Sequence, residues 1–456
     1  MKNIVQALFL AAGLVLTSNG LSCADALHPN GIWYFKPNGK TVTAGALTEN
    51  DCTAVIPCDA ASLNTDVAAR IAQLTPYATL SLALGSYPIG TFVLKSGQSI
   101  QRGDENANEH PILQGAVKLE GMNLIESVKI DNQGLLVETT SPTAAYIGLY
   151  LPAGVSATLR DTDIAVSPGT RQPAGQSAIG LLLDNGASLV TYGGRVSAQG
   201  SAATEGITMT GGTVVAKGMN VESSSANGMA YGINAQQNST FQLDRGDITV
   251  RSERGEAVGA KVNDGKLLLS NIDLTVSAAH DDEHVWAYGI RVNAAVVTLD
   301  AVNVSASSNG SSGGIRGENG TAVNVTNSFI YAGSGIPDQI ENDICAGLEC
   351  GANGIMLWDS YVTMDNSRIS ATDHGHGVPS AAWLLGKTSL RTFNSTMRTS
   401  TQKDFAAGID SGDDAYSRHD KAVFQVTAPD GYLVWDHNTF INSTCMWNDQ
   451  TVACPD

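Results

Sequence analysis

The sequence predicts an all-β fold: a single-stranded right-handed parallel β-helix, or solenoid, closed by disulfide-clipped caps. Three observations carry this. A Gly-Ile dipeptide or close variant recurs at Gly148-Leu149, Gly180-Leu181, Gly206-Ile207, Gly232-Ile233, Gly259-Ala260, Gly289-Ile290, Gly314-Ile315, Gly354-Ile355 and Gly408-Ile409, mostly in steps of 25 to 32 residues. Within the units apolar residues alternate with polar ones: Phe241 and Leu243, Ile248 and Val250, Leu267 and Leu269, Leu274 and Val276, Val297 and Leu299, Val302 and Val304, Val362 and Met364. Period-two pairs separated by Asn, Asp, Ser or Gly are half-buried strands joined by tight turns. Finally, the chain has 48 Gly and only 15% charged residues in 456, a mixture suited to short strands and turns rather than surface helices.

The elements follow in order. Residues 1–24 have the form of an export signal: Lys2 precedes an apolar core, Ile4 to Leu16, too short to span a bilayer, and Ser22-Cys23-Ala24 ends in small residues. Cys23 also admits acylation, although Gly20 stands where a lipid-attachment signal needs an aliphatic residue. Residues 25–75 are assigned to an N-terminal cap in which Val67, Ile71 and Leu74 of a helix over 63–74 cover the first coil. Residues 76–426 form the β-helix, with Thr79–Ile100 as its first coils and Ala382-Trp383 standing in for one Gly-Ile. The long step from Gly314 to Gly354 contains an insertion at a turn. Residues 427–456, with Trp435 and Trp447, form the C-terminal cap.

Six cysteines beyond residue 24 fall into local pairs, Cys52 with Cys58, Cys345 with Cys350 and Cys445 with Cys454. None has C-x-x-C spacing, so disulfides in an oxidising compartment are expected over metal or redox chemistry. A formal charge of -18 repels nucleic acid and anionic lipid and leaves room for Ca²⁺. No segment after the leader is long and apolar enough for a transmembrane helix.

Tyr288-Gly289-Ile290, Val297-Thr298-Leu299, Gly314-Ile315 and Val323-Asn324-Val325, with their Ser/Asn-rich turns, resemble the β-helical passenger domains of bacterial autotransporters over about residues 145 to 425. No translocator barrel follows, so self-export is not implied. That resemblance marks architecture more than function.

Asp373-His374-Gly375-His376-Gly377 contains a Gly-His-Gly that resembles the loop of polygalacturonase-like hydrolases, which share the pectin-lyase-like form of this fold. Asp410, Asp413 and Asp414 resemble that family's clustered aspartates, which implies acid and base roles in glycoside hydrolysis. The order is reversed, however: here the aspartates follow the histidine, and the later basic motif is missing. His280-Asp281-Asp282-Glu283-His284 offers His280, Asp282 and His284 as metal ligands, with a solvated acidic turn as the plainer reading. Pectate lyases use Asp-bound Ca²⁺ and an arginine base; Asp161, Asp163, Asp244, Asp247 and Asp273 lie in different coils, and no arginine stands out beside them. Trp286 and Trp358 are left as sugar platforms or packing, whereas Trp383, Trp435 and Trp447 are expected to pack.

The function expected is a secreted or envelope-associated, adhesin-like binding protein for a polysaccharide or cell-surface glycoconjugate. The alternative is a hydrolase or lyase acting on a uronic-acid-containing polymer. A third is an envelope protein without a ligand.

Overall fold

A computed structural model describes residues 31–104, 109–139, 145–168, 172–173, 176–279, 286–335, 351–374, 378–402, 405–412, 414–435 and 438–455. The fold is the parallel β-helix that the repeat predicts. Stacked coils build three parallel sheets, some strands, such as Ser239–Ser252, running on from one sheet into the next. Sheet 1 stacks the glycine-bearing strands, among them Ala230–Gln236, Ala257–Asn263, Trp286–Asn293, Ser311–Glu318, Ala352–Trp358, Ser380–Leu385 and Phe405–Ser411. Sheet 2 stacks the next strand of each coil, ending with Ala322–Thr326, Tyr361–Asp365, Ser389–Phe393, Tyr416–Asp420 and Asn438–Ile441. Sheet 3 includes Phe329–Ser334, Arg368–Asp373, Thr396–Thr401 and Val423–Thr427. The alternating aliphatics all point inward: Phe241, Leu243, Ile248, Leu267, Leu274, Val297, Val304 and Val362 are at most 1% exposed in one continuous core. Neighbouring coils supply that core, since no single coil can bury its own inner face.

The repeat glycine has a steric cause. In sheet 1 the register skips it: Tyr231 pairs Val258 and Ile233 pairs Ala260, leaving Gly232 between. A Cβ on Gly289 would sit 2.5 Å from the Gly314 carbonyl oxygen and 2.3 Å from Val304 Cγ1, so only glycine lets successive coils approach there. The residue before the glycine, as in Tyr231 and Tyr288, therefore turns outward, the one after it, as in Ile233 and Ile290, enters the core, and the next, as in Arg291 and Met356, turns outward again.

Between sheets 2 and 3 the chain bends through one left-handed residue per coil, including Arg245, Asn271, Ala301, Asn327, Asn366, Asn394 and Lys421. Asn tolerates this conformation best among residues with side chains. It also bonds along the stack: Asn366 Nδ2 donates to Asn327 Oδ1 at 2.8 Å, and Asn271 Nδ2 to Asp244 Oδ1 at 3.0 Å.

The helix runs Thr65–Leu74, capped by Asn64, whose side chain accepts from the Val67 amide; Val67 and Ile71 are buried and Leu74 packs on the core. Parallel pairing starts within the segment assigned to the cap, where Ile32–Phe35 pairs Thr79–Leu82. It continues past residue 427 through Asp430–Trp435, Asn438–Ile441 and Thr444–Trp447. Gln450–Val452 then pairs antiparallel and blocks further stacking. Cys52–Cys58 and Cys445–Cys454 are bonded, clipping the two ends as expected. The Cys345–Cys350 pair and residues 1–24 lie outside the described residues.

One slot needs correction. Ala382 pairs Ile355 and Ile409, so Ala381-Ala382 takes the Gly-Ile position and Trp383 follows it. Trp383 therefore faces outward, in register with Met356 and Asp410, instead of filling the interior.

Candidate functional site

Because the residue before the repeat glycine and the second residue after it face outward, sheet 1 carries a second apolar cluster outside the core. Tyr231, Val258, Tyr288, Met356 and Trp383 form it, with Trp286, Trp358 and Leu385 packed against them. A diagonal stripe crosses this face. Trp286 and Tyr288 stack with ring centroids 5.1 Å apart and planes 3° from parallel. The Arg316 guanidinium lies 5.6 Å from the Tyr288 centroid and 5.1 Å from that of Trp358. Trp358 meets Trp383 edge to face at 5.2 Å. Tyr288 is 2% and Trp383 8% exposed, while Trp286 and Trp358 are half-buried, with ring surface available.

The charges on this face are matched. Arg291 Nη1 lies 2.9 Å from Glu256 Oε1, and Arg316 Nε 2.7 Å from Glu318 Oε1. Arg316 Nη1 also donates to the Tyr288 hydroxyl at 2.8 Å. Lys261 Nζ sits 5.1 Å from the Tyr231 ring. Glu205 accepts from Asn234 Nδ2 at 2.9 Å and from the Thr208 hydroxyl. Burial pushes the hydroxyls of Tyr231 and Tyr288 up to about 12, so both stay protonated at ordinary pH.

Asp410 continues the same face, one coil beyond Trp383. Burial raises its carboxyl above the usual aspartate value, opposed by the hydrogen bond with Tyr432. Phe405 packs edge to face on Tyr432 at 5.2 Å.

The other sequence candidates disperse. Asp373 is buried at the end of a sheet-3 strand, pairs Ser334 and Thr401 in register, and accepts from the Ser334 hydroxyl. Asp410 faces out from sheet 1, and Asp414 is exposed in the turn after it. His376, Asp413, His280, Asp282 and His284 lie outside the described residues. Asp244 and Asp273 accept ladder bonds from Asn271 and Asn303. Among the described residues no group of three or more His, Cys, Asp or Glu side chains is arranged for a metal ion. No described helix is long and apolar enough to cross a membrane. Trp447 packs on the C-terminal cluster of Ala406, Val426 and Ala428.

A second surface was missed at the sequence level. On sheet 2, Arg391 and Arg418 stand in register on adjacent coils. They line an open depression of about 400 Å³ with Asn324, Thr363, Phe393 and Asp420. Tyr361, Tyr416 and Phe393 on the same sheet are 57%, 46% and 39% exposed. Hydrogen bonds to Ser389 and Arg391 hold the Tyr416 hydroxyl below its usual pKa. The signal was the pair of Arg-bearing strands one coil apart, legible only once the register was known.

No family model matches the chain, and no curated protein matches it by sequence. Among solved structures it is similar to the Dettilon tailspike protein (11% identity, TM-score 0.35, covering 90% of this chain and 68% of that one). It is similar to a rhamnogalacturonan lyase (9%, 0.34, 90% and 87%) and to the A-module of an Azotobacter vinelandii mannuronan C-5 epimerase (10%, 0.30, 87% and 97%). Function is therefore read from the chain's own residues.

Proposed function

We propose that this chain is a secreted glycan-binding β-helix, adhesin-like, whose principal contact is the outer face of sheet 1. The observation that carries the reading is the stripe Trp286, Tyr288, Arg316, Trp358 and Trp383: stacked rings outside the core, two of them half-buried. Sugar rings present C–H faces that pack on such platforms, and matched Arg–Glu pairs offer fixed donors and acceptors to hydroxyls. With Arg291 and Arg316 already neutralised by Glu256 and Glu318, the face suits an uncharged, hydroxyl-rich sugar chain. Export agrees with the form of residues 1–24 and with the Cys52–Cys58 and Cys445–Cys454 bonds.

The test is titration of the full chain with neutral polysaccharides, read by tryptophan emission and by retardation in polysaccharide-containing gels. Trp358→Ala is expected to weaken binding about tenfold or more, on the scale of one lost stacking platform. Unchanged binding in both Trp358→Ala and Trp286→Ala overturns the reading.

One observation favours a second reading, a polysaccharide hydrolase or lyase. Asp410 is a carboxyl of raised pKa on the same face, bonded to Tyr432, which fits a general acid. Reducing-end or unsaturated products that vanish in Asp410→Asn support it; no turnover on neutral and uronic-acid polymers, with and without Ca²⁺, leaves the binding reading.

A further inference from the structure

The sheet-2 depression has a charge problem that sheet 1 does not. Arg391 and Arg418 are direct register neighbours on strands about 4.8 Å apart. Like charges directly opposite each other in a sheet are destabilising. Several other sheet arginines are met by acids, Arg195 by Glu222, Arg291 by Glu256 and Arg316 by Glu318, and Arg368 lies over the Phe329 ring. Among the described residues neither Arg391 nor Arg418 is in an ion pair, although the chain carries 44 acids against 26 bases. The nearest carboxylates along the strands are Asp365 and Asp420, and Phe393 stands between them in the same register slot. Lys421 Nζ, 5.3 Å from the Phe393 ring, adds a further cation at the rim.

The rest of the depression is equipped for a ring. Phe393 exposes aromatic surface in the depression and Tyr361 and Tyr416 beside it, and Asn324 and Thr363 provide amide and hydroxyl groups two coils and one coil earlier. Two register-neighbouring guanidinium groups that no carboxylate pairs, Arg391 bonding only the neutral Tyr416 hydroxyl, match an anionic group, and flanking aromatics match the sugar that carries it.

We propose that this depression is an anion-recognising saccharide subsite, separate from the sheet-1 face, in which Arg391 and Arg418 together hold one carboxylate or sulfate ester of a glycan. The saccharide part rests on the glycan reading above; the anion part rests on two adjacent arginines that no acid neutralises. The two faces then read different chemistry: uncharged rings on sheet 1 and a charged unit on sheet 2.

The experiment measures binding of the full chain to a uronic-acid polymer, a sulfated polysaccharide and a neutral polysaccharide at several salt concentrations. The two anionic arms tell carboxylate from sulfate. Arg391→Gln and Arg418→Gln are each expected to weaken binding of one anionic polymer about tenfold, the scale of one charge-assisted contact. The double variant should also flatten its salt dependence while neutral-polymer binding stays unchanged. Thermal unfolding of each variant at its wild-type midpoint excludes misfolding, and Thr363→Ala, inside the depression but uncharged, should leave the salt slope intact. Anionic binding unchanged in the double variant, or no anionic binding at all, overturns the subsite. Loss of neutral binding in Trp358→Ala is independent of either result, so the two readings fail separately.

Discussion

Lys261, Arg291 and Arg316 stand in register on sheet 1, as Arg391 and Arg418 do on sheet 2, yet the two ladders have opposite surroundings. On sheet 1 each cation is answered, by Glu256, by Glu318 or by the faces of Tyr231, Tyr288 and Trp358. That ladder is half-buried and self-contained, a patch whose charges are used to order rings. On sheet 2 the side chains are exposed, the rings around them are open to solvent, and the cations have no acid of their own. Stacking puts like residues in register in both places; what differs is whether the neighbouring strand positions carry the complement. A solenoid thus produces ladders automatically, and compensation separates a structural ladder from one left for a ligand.

The largest expected effect attacks the platform beneath the first ladder. Gly289→Val places side-chain atoms against the Gly314 carbonyl and Val304, and should cost about 3 kcal/mol or more by overpacking, seen as a lower urea midpoint. Protection from hydrogen exchange should be lost around Trp286–Asn293 while Ser389–Phe393 keeps its own, which separates the two regions; equal loss in both breaks the comparison.

A smaller effect acts under the second ladder. The strand Tyr416–Asp420 turns Arg418 outward and His419 inward. His419 is buried, with Nδ1 2.8 Å from Thr392 Oγ1 and Nε2 2.6 Å from Ser417 Oγ, and burial depresses its pKa from 6.5 to about 3. The unfolded chain takes up this proton below about pH 6.5 and the folded chain only near 3. The ring's contribution to stability is therefore complete above 6.5 and falls as pH drops toward 3. Between pH 6.5 and 4.5 the loss should be roughly 2 kcal/mol, by linkage. Urea unfolding of wild type and His419→Gln at both pH values checks it: the variant's curve should be the flatter, and parallel curves refute the assignment.

The smallest change converts one ladder toward the other. Glu318→Gln uncovers Arg316 while keeping the shape of the side chain. Since part-exposed pairs are worth about 0.5 kcal/mol, binding of an anionic polymer to the Arg391→Gln, Arg418→Gln background should rise only two- to threefold, measured at low salt. No gain would mean that the rings around Arg316, not the pairing, keep anions away.

How much was legible beforehand differs by feature. Alternation in Phe241, Leu243, Ile248 and Val250 is a local pattern, and it specified strands and their buried faces. The recurrence of glycine announced stacking but not its cause. The slip at Ala381-Ala382 shows why: the slot is defined by what the next coil's carbonyl touches, and sequence spacing alone put Trp383 one position too far inward. Asp373, beside the Gly-His-Gly, and Asp410, among the later aspartates, were candidates for one catalytic site, yet the strands send Asp373 into a buried position and Asp410 out of sheet 1.

By itself, then, the sequence determined the period, the inward-facing aliphatics and the two cysteine clips at the ends, since each depends on residues close together in the chain. Only the tertiary structure decided which outward residues meet. Trp358 and Trp383, or Arg391 and Arg418, become neighbours through coil register, and register is set by long-range backbone pairing that no local pattern encodes.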